Sequence, residues 1–236
     1  MKKKITRNIY FIFFKRAVIY FFIFHLFYIL LIKWVNPPIT FTQLNSVFRG
    51  EGLQRDYRSF TNISYNAGLS MIASEDQTFA DHNGFDWKSI KKAMAYNKRK
   101  PNRVRGASTI SQQVVKNVFL WQGRSWIRKG LEVYFTFMVE TLYSKRRILE
   151  LYLNVAEMGK GVYGIEAAAK TYFNKSAKKL SRSEAAMIAA CMPNPKKYSV
   201  KPISRFVANK YPWVLNQMNN LEGDEDIRKI LQPSKR

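Results

Sequence analysis

The sequence predicts a mainly α-helical domain that is preceded by a single transmembrane helix. Residues 17–35 form a long apolar run near the N-terminus, and most later segments repeat their apolar residues with the period of a helix. No segment alternates polar and apolar residues clearly enough to require a large sheet. The length of 236 residues suits one globular domain with additional segments.

The apolar run over residues 17–35 has only His25 and Lys33 as polar interruptions. A helix of about 20 residues spans a bilayer core of about 30 Å. A cleaved signal peptide should have a shorter apolar region and a small-residue cleavage site, and a buried core helix should keep a polar face. We therefore expect a retained membrane anchor that is followed by a break at Pro37 and Pro38.

Charge predicts the orientation of this anchor. The first acidic residue is Glu51, whereas seven basic residues lie before Trp34, namely Lys2, Lys3, Lys4, Arg7, Lys15, Arg16 and Lys33. Basic residues favour the cytoplasmic side of a membrane. Residues 1–16 are thus expected to be a basic cytoplasmic N-terminus, and the domain that follows the anchor is expected to lie outside.

The formal net charge of +24 indicates an anionic partner. Nucleic acid, anionic lipid and a phosphorylated substrate all fit such a charge. The single cysteine, Cys191, has no partner for an internal disulfide and lies in an apolar helical run, so we expect a small core residue.

Composition and periodicity also predict the domain organisation. We expect a linker over residues 36–49, a globular domain over residues 50–220 and a charged, frayed tail over residues 221–236. Within the domain, apolar spacing predicts helices over residues 67–73, 87–97, 109–120, 127–143, 145–157, 164–173 and 184–192.

The segment from Ala73 to Asp86 is the first candidate for chemistry. It contains five titratable side chains, Glu75, Asp76, Asp81, His82 and Asp86, between two helical segments. Carboxylates at a helix end are suited to general acid–base catalysis. A solvated acidic loop in which Asp86 caps the next helix explains the same residues. The segment alone does not distinguish the two interpretations.

Three further groups combine charge with helix ends. Hydroxyl and amide side chains at residues 106–113, with Lys116 one turn later, resemble an anion site at a helix N-terminus or an ordinary N-cap. Arg128, Lys129 and Glu132 form a charged cluster, but an exposed i,i+4 ion pair contributes only about 0.2–0.5 kcal/mol. Residues 145–147 with Glu150 form another cluster, which also reads as a charged helix face.

Taken together and in this order, the four groups resemble the motifs of the peptidoglycan glycosyltransferases of glycosyltransferase family 51, in their monofunctional, membrane-anchored form. The first motif matches at Glu75, Asp76, Phe79, His82 and Gly84, and the second at Gly106, Ser108, Thr109, Ile110, Gln112 and Gln113. Ser111 replaces the usual threonine of the second motif and keeps its hydroxyl. The third matches at Arg128, Lys129 and Glu132, and the fourth at Lys145, Ile148, Leu149, Glu150, Tyr152, Leu153 and Asn154.

The resemblance implies a lysozyme-like, two-lobed fold and the polymerisation of lipid II into linear glycan strands. It implies an inverting transfer of a polyprenyl-pyrophosphate-linked glycan chain to the 4-hydroxyl of another lipid II, which forms β-1,4 linkages. Glu75 would be the general base, and Glu132 would assist at the donor. The expected substrate-binding residues are Asp76, Phe79, His82, Ser108, Thr109, Gln112, Gln113, Lys116, Arg124, Arg128 and Lys129.

The resemblance also sets expectations for cofactors, partners and location. A divalent cation, Mg or Mn, would bridge the pyrophosphate, and we expect neither protein metal ligands nor an organic cofactor. The expected partners are lipid II, the growing lipid-linked glycan chain, the membrane and a cell-wall synthesis complex, without nucleic acid. The implied location is the bacterial cytoplasmic (inner) membrane, with the catalytic domain in the periplasm.

Three competing functions explain part of the sequence. A membrane-anchored, lysozyme-like peptidoglycan hydrolase would also use a catalytic glutamate, but it needs no cation cluster for a pyrophosphate. A basic nucleic-acid-binding membrane protein would explain the charge but not the ordered motifs. A bifunctional enzyme with a transpeptidase is disfavoured, because no Lys-Thr-Gly accompanies the Ser-x-x-Lys matches at Ser89 and Ser176.

Overall fold

The structure, a computed structural model, describes residues 2–123 and 125–232, with side chains from residue 11 onward. The chain divides into two compact units, with the boundary between Pro37 and Pro38. The described part of the first unit contains one helix, and the second unit contains all other described elements.

The helix of the first unit, α1 (Lys2–Ile32), includes a 22-residue stretch, Phe11–Ile32, with a mean hydropathy of 1.8. This stretch is long and apolar enough to cross a membrane. The helix begins before residue 17 and ends at Ile32, so it does not include residues 33–35 of the predicted span. The helix extends back to Lys2 because residues 2–16 contain neither proline nor glycine to interrupt it.

The second unit is predominantly helical, which confirms the mainly α prediction. Its described residues form α2 (Phe41–Phe48), α3 (Tyr65–Glu75), α4 (Trp87–Arg99), α5 (Ile110–Val118), α6 (Trp126–Leu142), α7 (Lys145–Val155), α8 (Ile165–Phe173), α9 (Arg182–Cys191), α10 (Arg205–Leu221) and α11 (Glu225–Leu231). Single 3-10 turns occur at Phe60–Asn62 and Ala177–Lys179.

One small sheet accompanies the helices. Its strands are β1 (Gln54–Arg55), β2 (Glu157–Gly159) and β3 (Val162–Tyr163), in the order β1-β3-β2. Strand β1 runs parallel to β3 in the register Gln54 to Val162, and β2 runs antiparallel to β3 with an irregularity between Glu157 and Gly159. Strands this short leave no alternating pattern in the sequence.

The core has two main groups of helices. Helices α3, α9 and α10 pack on one another, and α5 packs on both α6 and α7. The buried faces of α8 and α9 are rich in alanine, which allows the close approach of neighbouring backbones. Helix α3 contributes Leu69, Met71 and Ile72, all fully buried, directly before the candidate catalytic residue Glu75. Burial of α3 therefore fixes the position of its C-terminal end.

Two predicted irregular segments contain helices instead. The predicted linker over residues 36–49 includes α2, whose N-cap Thr40 forms a capping box with Gln43. The predicted frayed tail over residues 221–236 includes α11, which packs on α3 and α7 through the buried residues Ile227 and Leu231. Both helices are short, so tertiary packing stabilises them more than local propensity does. The sequence analysis also missed α10, which contains Pro212.

A glycine fixes the entry into α8. Gly164 is the N-cap of this helix and has a φ of +84°. A Cβ at this position would lie 2.6 Å from the backbone oxygen of Asn154, at the end of α7. Only glycine avoids both the left-handed strain and this collision, so the approach of α8 to α7 depends on residue 164.

We predict that G164A lowers the free energy of unfolding of the full-length protein by at least about 1–3 kcal/mol, because a non-glycine residue in this conformation is strained. G130A is the matched control, since Gly130 lies within α6 and has open space around its Cβ position. Alanine there should stabilise the helix by about 0.5–1 kcal/mol. Denaturant unfolding in detergent measures both variants, and equal stabilities would contradict the prediction.

Candidate active site

Glu75 is the last residue of α3 and lines an open cleft of about 770 Å³. Its Oε2 accepts a hydrogen bond from Nε2 of Gln113 at 3.0 Å, and its Oε1 accepts one from the Ser74 hydroxyl at 3.4 Å. Gln113 belongs to α5, so the first and second motifs meet at this carboxylate. A carboxylate that is held by the neutral amide of Gln113 and faces a cleft is suited to accept a proton from a bound hydroxyl.

Asp76 joins the loop after α3 to the N-terminus of α5. The side chain is buried, and its Oδ1 lies 2.9 Å from Nε2 of His82. Its Oδ2 accepts the backbone N–H of Ile110 at 2.9 Å. Nδ1 of His82 accepts the backbone N–H of Gly84 at 3.1 Å, so the ring carries its hydrogen on Nε2 and donates it to Asp76. Asp76 and His82 thus position the loop.

Gly84 and Thr109 bring the second motif against this loop. The hydroxyl of Thr109 donates to the backbone oxygen of Gly84 at 2.7 Å. Gly84 has a φ of +88°, and a Cβ there would lie 2.6 Å from Cγ2 of Thr136 on α6. The glycine of the first motif is therefore required by close packing against α6.

Several residues that we predicted as substrate contacts have partners within the protein, and their contact with substrate stays a prediction. Thr109 and Gln112 form the capping box of α5, and both are buried. Phe79 is fully buried, with Nζ of Lys145 4.8 Å from its ring centroid. Together with Asp76, these residues position the site. Ser108 and Gln113, by contrast, line the cleft, as Glu75 does.

Glu132 is the second buried carboxylate of the site and lies on α6 with only 3% of the residue exposed. It pairs with Arg128 one turn earlier at 3.0 Å and with Lys129. Nε of Arg128 is buried and has no hydrogen-bond partner within the described part of the chain. This ion pair is therefore buried and incompletely satisfied, unlike the surface pair that the sequence also allowed.

Lys116 on α5 adds a third cation to this group. Burial lowers the pKa of its ammonium, and the charges of Glu132 and Glu75 partly oppose that change. No carboxylate oxygen of the described residues lies within ion-pair distance of Lys116. We name Lys116, Arg128 and Lys129 with Glu132 the Glu132 cluster. Its cations exceed its carboxylate, so it can receive an anion. Arg124, also predicted to bind substrate, lies outside the described residues.

The fourth motif stabilises the site through hydrogen bonds of Lys145. Nζ of Lys145 donates to Glu140 at 2.9 Å and to the backbone oxygen of His82, and the hydroxyl of Ser111 donates to the same Glu140 carboxylate. The hydroxyl that Ser111 shares with threonine thus has a structural partner. Glu140 was not identified from the sequence, because its role depends on three segments that meet only in the fold.

The transglycosylase family model matches residues 42–219. Proteins named "Biosynthetic peptidoglycan transglycosylase" from Shigella boydii serotype 4 (strain Sb227), Escherichia coli strain ATCC 8739 and Escherichia coli O157:H7 are each 56% identical to this chain over 169 residues. Each alignment covers 72% of this chain and 70% of the relative. The chain belongs to the transglycosylase family. The lysozyme-like, mainly α fold class that the sequence predicted is thereby confirmed.

Part of the cleft of this transglycosylase was not identified by sequence reasoning. Lys88 and Lys92 on α4 and Lys210 on α10 line the same cleft as Glu75. None of the three belongs to a motif, and Lys210 lies in a helix that we did not predict. Burial lowers the pKa of the Lys210 ammonium, while the charges of Glu75 and Cys191 oppose that change.

We predict that D76N lowers the free energy of unfolding by about 1–3 kcal/mol, since it leaves a buried donor without a partner. An amide can still accept the Ile110 N–H, but it turns its own N–H group toward the Nε2–H of His82. If the ring hydrogen moved to Nδ1 instead, two donors would again face each other, because the backbone N–H of Gly84 points at Nδ1.

The matched control is D81N in the same loop, because Asp81 is exposed. Its effect should stay within about 0.5 kcal/mol. Chemical unfolding of both full-length variants measures the difference. Equal losses would mean that the contacts of Asp76 do not stabilise the loop.

Proposed function

We propose that this transglycosylase polymerises lipid II into linear glycan strands for cell-wall synthesis. The observation that carries the proposal is the pairing of Glu75 in the cleft with a second buried carboxylate, Glu132, inside a cluster of cations. The 56% identity to proteins named biosynthetic peptidoglycan transglycosylases supports the same reaction. A hydrolase would need the carboxylates but not the excess of cations.

In the proposed mechanism, the 4-hydroxyl of the acceptor lipid II lies against Glu75. The hydroxyl oxygen attacks C1 of the donor sugar while the Glu75 carboxylate takes its proton. Gln113 holds one oxygen of that carboxylate, which fixes its direction. The C1–O bond to the pyrophosphate breaks, and its electron pair leaves with the phosphate oxygen. Attack opposite the α-linked leaving group gives the β-1,4 product.

The Glu132 cluster is assigned to the leaving pyrophosphate. Negative charge develops on the leaving oxygen as the bond breaks, and preorganised cations stabilise that charge most in a site of low water content. Among the described residues, Lys116 has no ion-pair partner and Nε of Arg128 has no hydrogen-bond partner, so both can donate to the pyrophosphate. Glu132 orients Arg128 and Lys129 toward the donor. Arg124 is proposed as a further donor-binding cation on the basis of the family resemblance alone.

A divalent cation, Mg or Mn, is also proposed to bridge the pyrophosphate. Within the described residues, no three His, Cys, Asp or Glu side chains form a group that holds a metal ion. The protein residues therefore do not fit a dedicated metal site, and phosphate oxygens would supply the ligands. No step of the mechanism above depends on the ion.

The proposed general base, Glu75, is tested by substitution. E75Q keeps the size of the side chain but cannot accept a proton, so polymerisation should fall by about 10²–10⁴-fold. Incubation with purified lipid II, followed by gel analysis of the glycan products, measures the rate. Thermal unfolding and lipid II binding should change little.

The control for E75Q is E222Q, because Glu222 is exposed, pairs with Arg182 and does not line the cleft. Its polymerisation rate should equal that of the wild type. A small loss in E75Q that follows a loss of thermal stability would contradict the assignment of Glu75. Release of sugars from finished peptidoglycan by the wild type, abolished in E75Q, would establish the hydrolase function instead.

A location in the cytoplasmic (inner) membrane, with the catalytic domain in the periplasm, is proposed from α1 and its basic flank. Protease added to intact spheroplasts should then digest the domain and leave a short N-terminal fragment. A cytoplasmic marker protein that stays intact is the control. Protection of the C-terminal domain from the protease would contradict this topology. A cell-wall synthesis complex is proposed as a further partner.

A further inference from the structure

Lys210 is a cation of the cleft that has no ion-pair partner among the described residues. It extends from α10, is half-buried and lines the cleft together with Glu75, Ser74 and Pro193. Nζ of Lys210 lies 5.9 Å from the ring centroid of Trp213, and within the described chain no carboxylate oxygen lies within ion-pair distance of it. Partial burial of a charge is unfavourable unless an opposite charge compensates it. The position is therefore suited to an anionic ligand.

Two further lysines line the same cleft from α4. Lys88 and Lys92 are one helical turn apart and share a helix face. Both are exposed, and neither has an ion-pair partner among the described residues. We name Lys88, Lys92 and Lys210 the cleft lysines. They come from two separate elements, whereas the cations of the Glu132 cluster do not line this cleft.

The acids that line the cleft leave the cleft lysines free to bind a ligand. Asp76 accepts hydrogen bonds from His82 and Ile110. Asp86 caps α4 through the backbone N–H of Ser89 and also accepts a hydrogen bond from Thr78. Glu75 is the remaining carboxylate, and in the proposed mechanism it faces the acceptor hydroxyl.

We propose that Lys210, assisted by Lys88 and Lys92, binds the pyrophosphate of the acceptor lipid II. This inference rests on the proposed function, in which both substrates carry a pyrophosphate and the Glu132 cluster neutralises only that of the donor. The acceptor must present its 4-hydroxyl to Glu75, and its pyrophosphate is attached to the other sugar of the same disaccharide. The cleft lysines and Glu75 line one cavity, so both face the space in which the acceptor is proposed to bind.

The test compares two acceptors that differ only in charge. One is the disaccharide with a neutral alkyl group at C1, and the other is the same disaccharide with an alkyl diphosphate. The donor is a lipid II analogue that lacks its own 4-hydroxyl, so that it cannot act as an acceptor. The measured quantity is kcat/KM for single coupling by the full-length protein in detergent.

The wild type should prefer the diphosphate acceptor, and K210M should reduce that preference by about 10-fold or more, as expected for one charge-assisted contact. K210R should retain most of it. The K88M/K92M double variant, which changes only exposed side chains, should reduce the preference by a smaller factor. In K210M, the loss of kcat/KM with the diphosphate acceptor should exceed any loss with the neutral acceptor.

Two matched controls remove one positive charge from the same helices. Lys91 on α4 and Arg205 on α10 are exposed and do not line the cleft, so K91M and R205M should keep the wild-type preference. Equal losses with both acceptors in K210M, or a loss no larger than in R205M, would overturn the assignment of Lys210. Failure of the wild type to couple either acceptor would overturn the proposed function itself.

Discussion

The two hydrogen-bonded contacts of the buried Asp76 carboxylate are the constraint on which the site depends. One oxygen holds His82, and the other accepts the first backbone N–H of α5. A carboxylate at a helix N-terminus is stabilised by the free N–H groups and by the helix dipole. This contact fixes α5 relative to the end of α3, and Gln113, one turn into α5, thereby reaches Glu75. The carboxylate assigned to catalysis is positioned by the neighbouring residue of the chain.

A second constraint is electrostatic. Burial lowers the pKa values of both Lys116 and Lys210, so each ammonium is held in an environment that disfavours its charge. In the folded protein without substrate these cations reduce stability. In the proposed complex, a bound phosphate would compensate these charges, because a charge-assisted contact is strongest where water is excluded. Burial of these ammonium groups thus lowers the stability of the protein without substrate and favours binding of an anion, and functional sites commonly combine the two effects.

Local patterns predicted the helices from α3 to α9 and the residues of the four motifs, because amphipathic spacing and motif spacing are both read along the chain. Tertiary effects were not predictable in this way. Helix α10 contains Pro212, a residue that usually ends a helix, and α11 begins with acidic residues and has only two buried side chains, Ile227 and Leu231. The motif residues Thr109 and Gln112 were assigned to substrate on the basis of the family resemblance. Their burial as a capping box is visible only in the fold.

The arrangement of charge also explains how one kind of helical fold serves transfer rather than hydrolysis. A general-base carboxylate activates water as readily as it activates a sugar hydroxyl. Selectivity for transfer must therefore come from binding, which places the hydroxyl near Glu75 more often than water. The acceptor in the proposed reaction is anionic, and the cleft around Glu75 carries three lysines without ion-pair partners among the described residues. In the proposed assignment, cations on the acceptor side, added to those of the Glu132 cluster, favour a phosphorylated sugar over water at the same carboxylate.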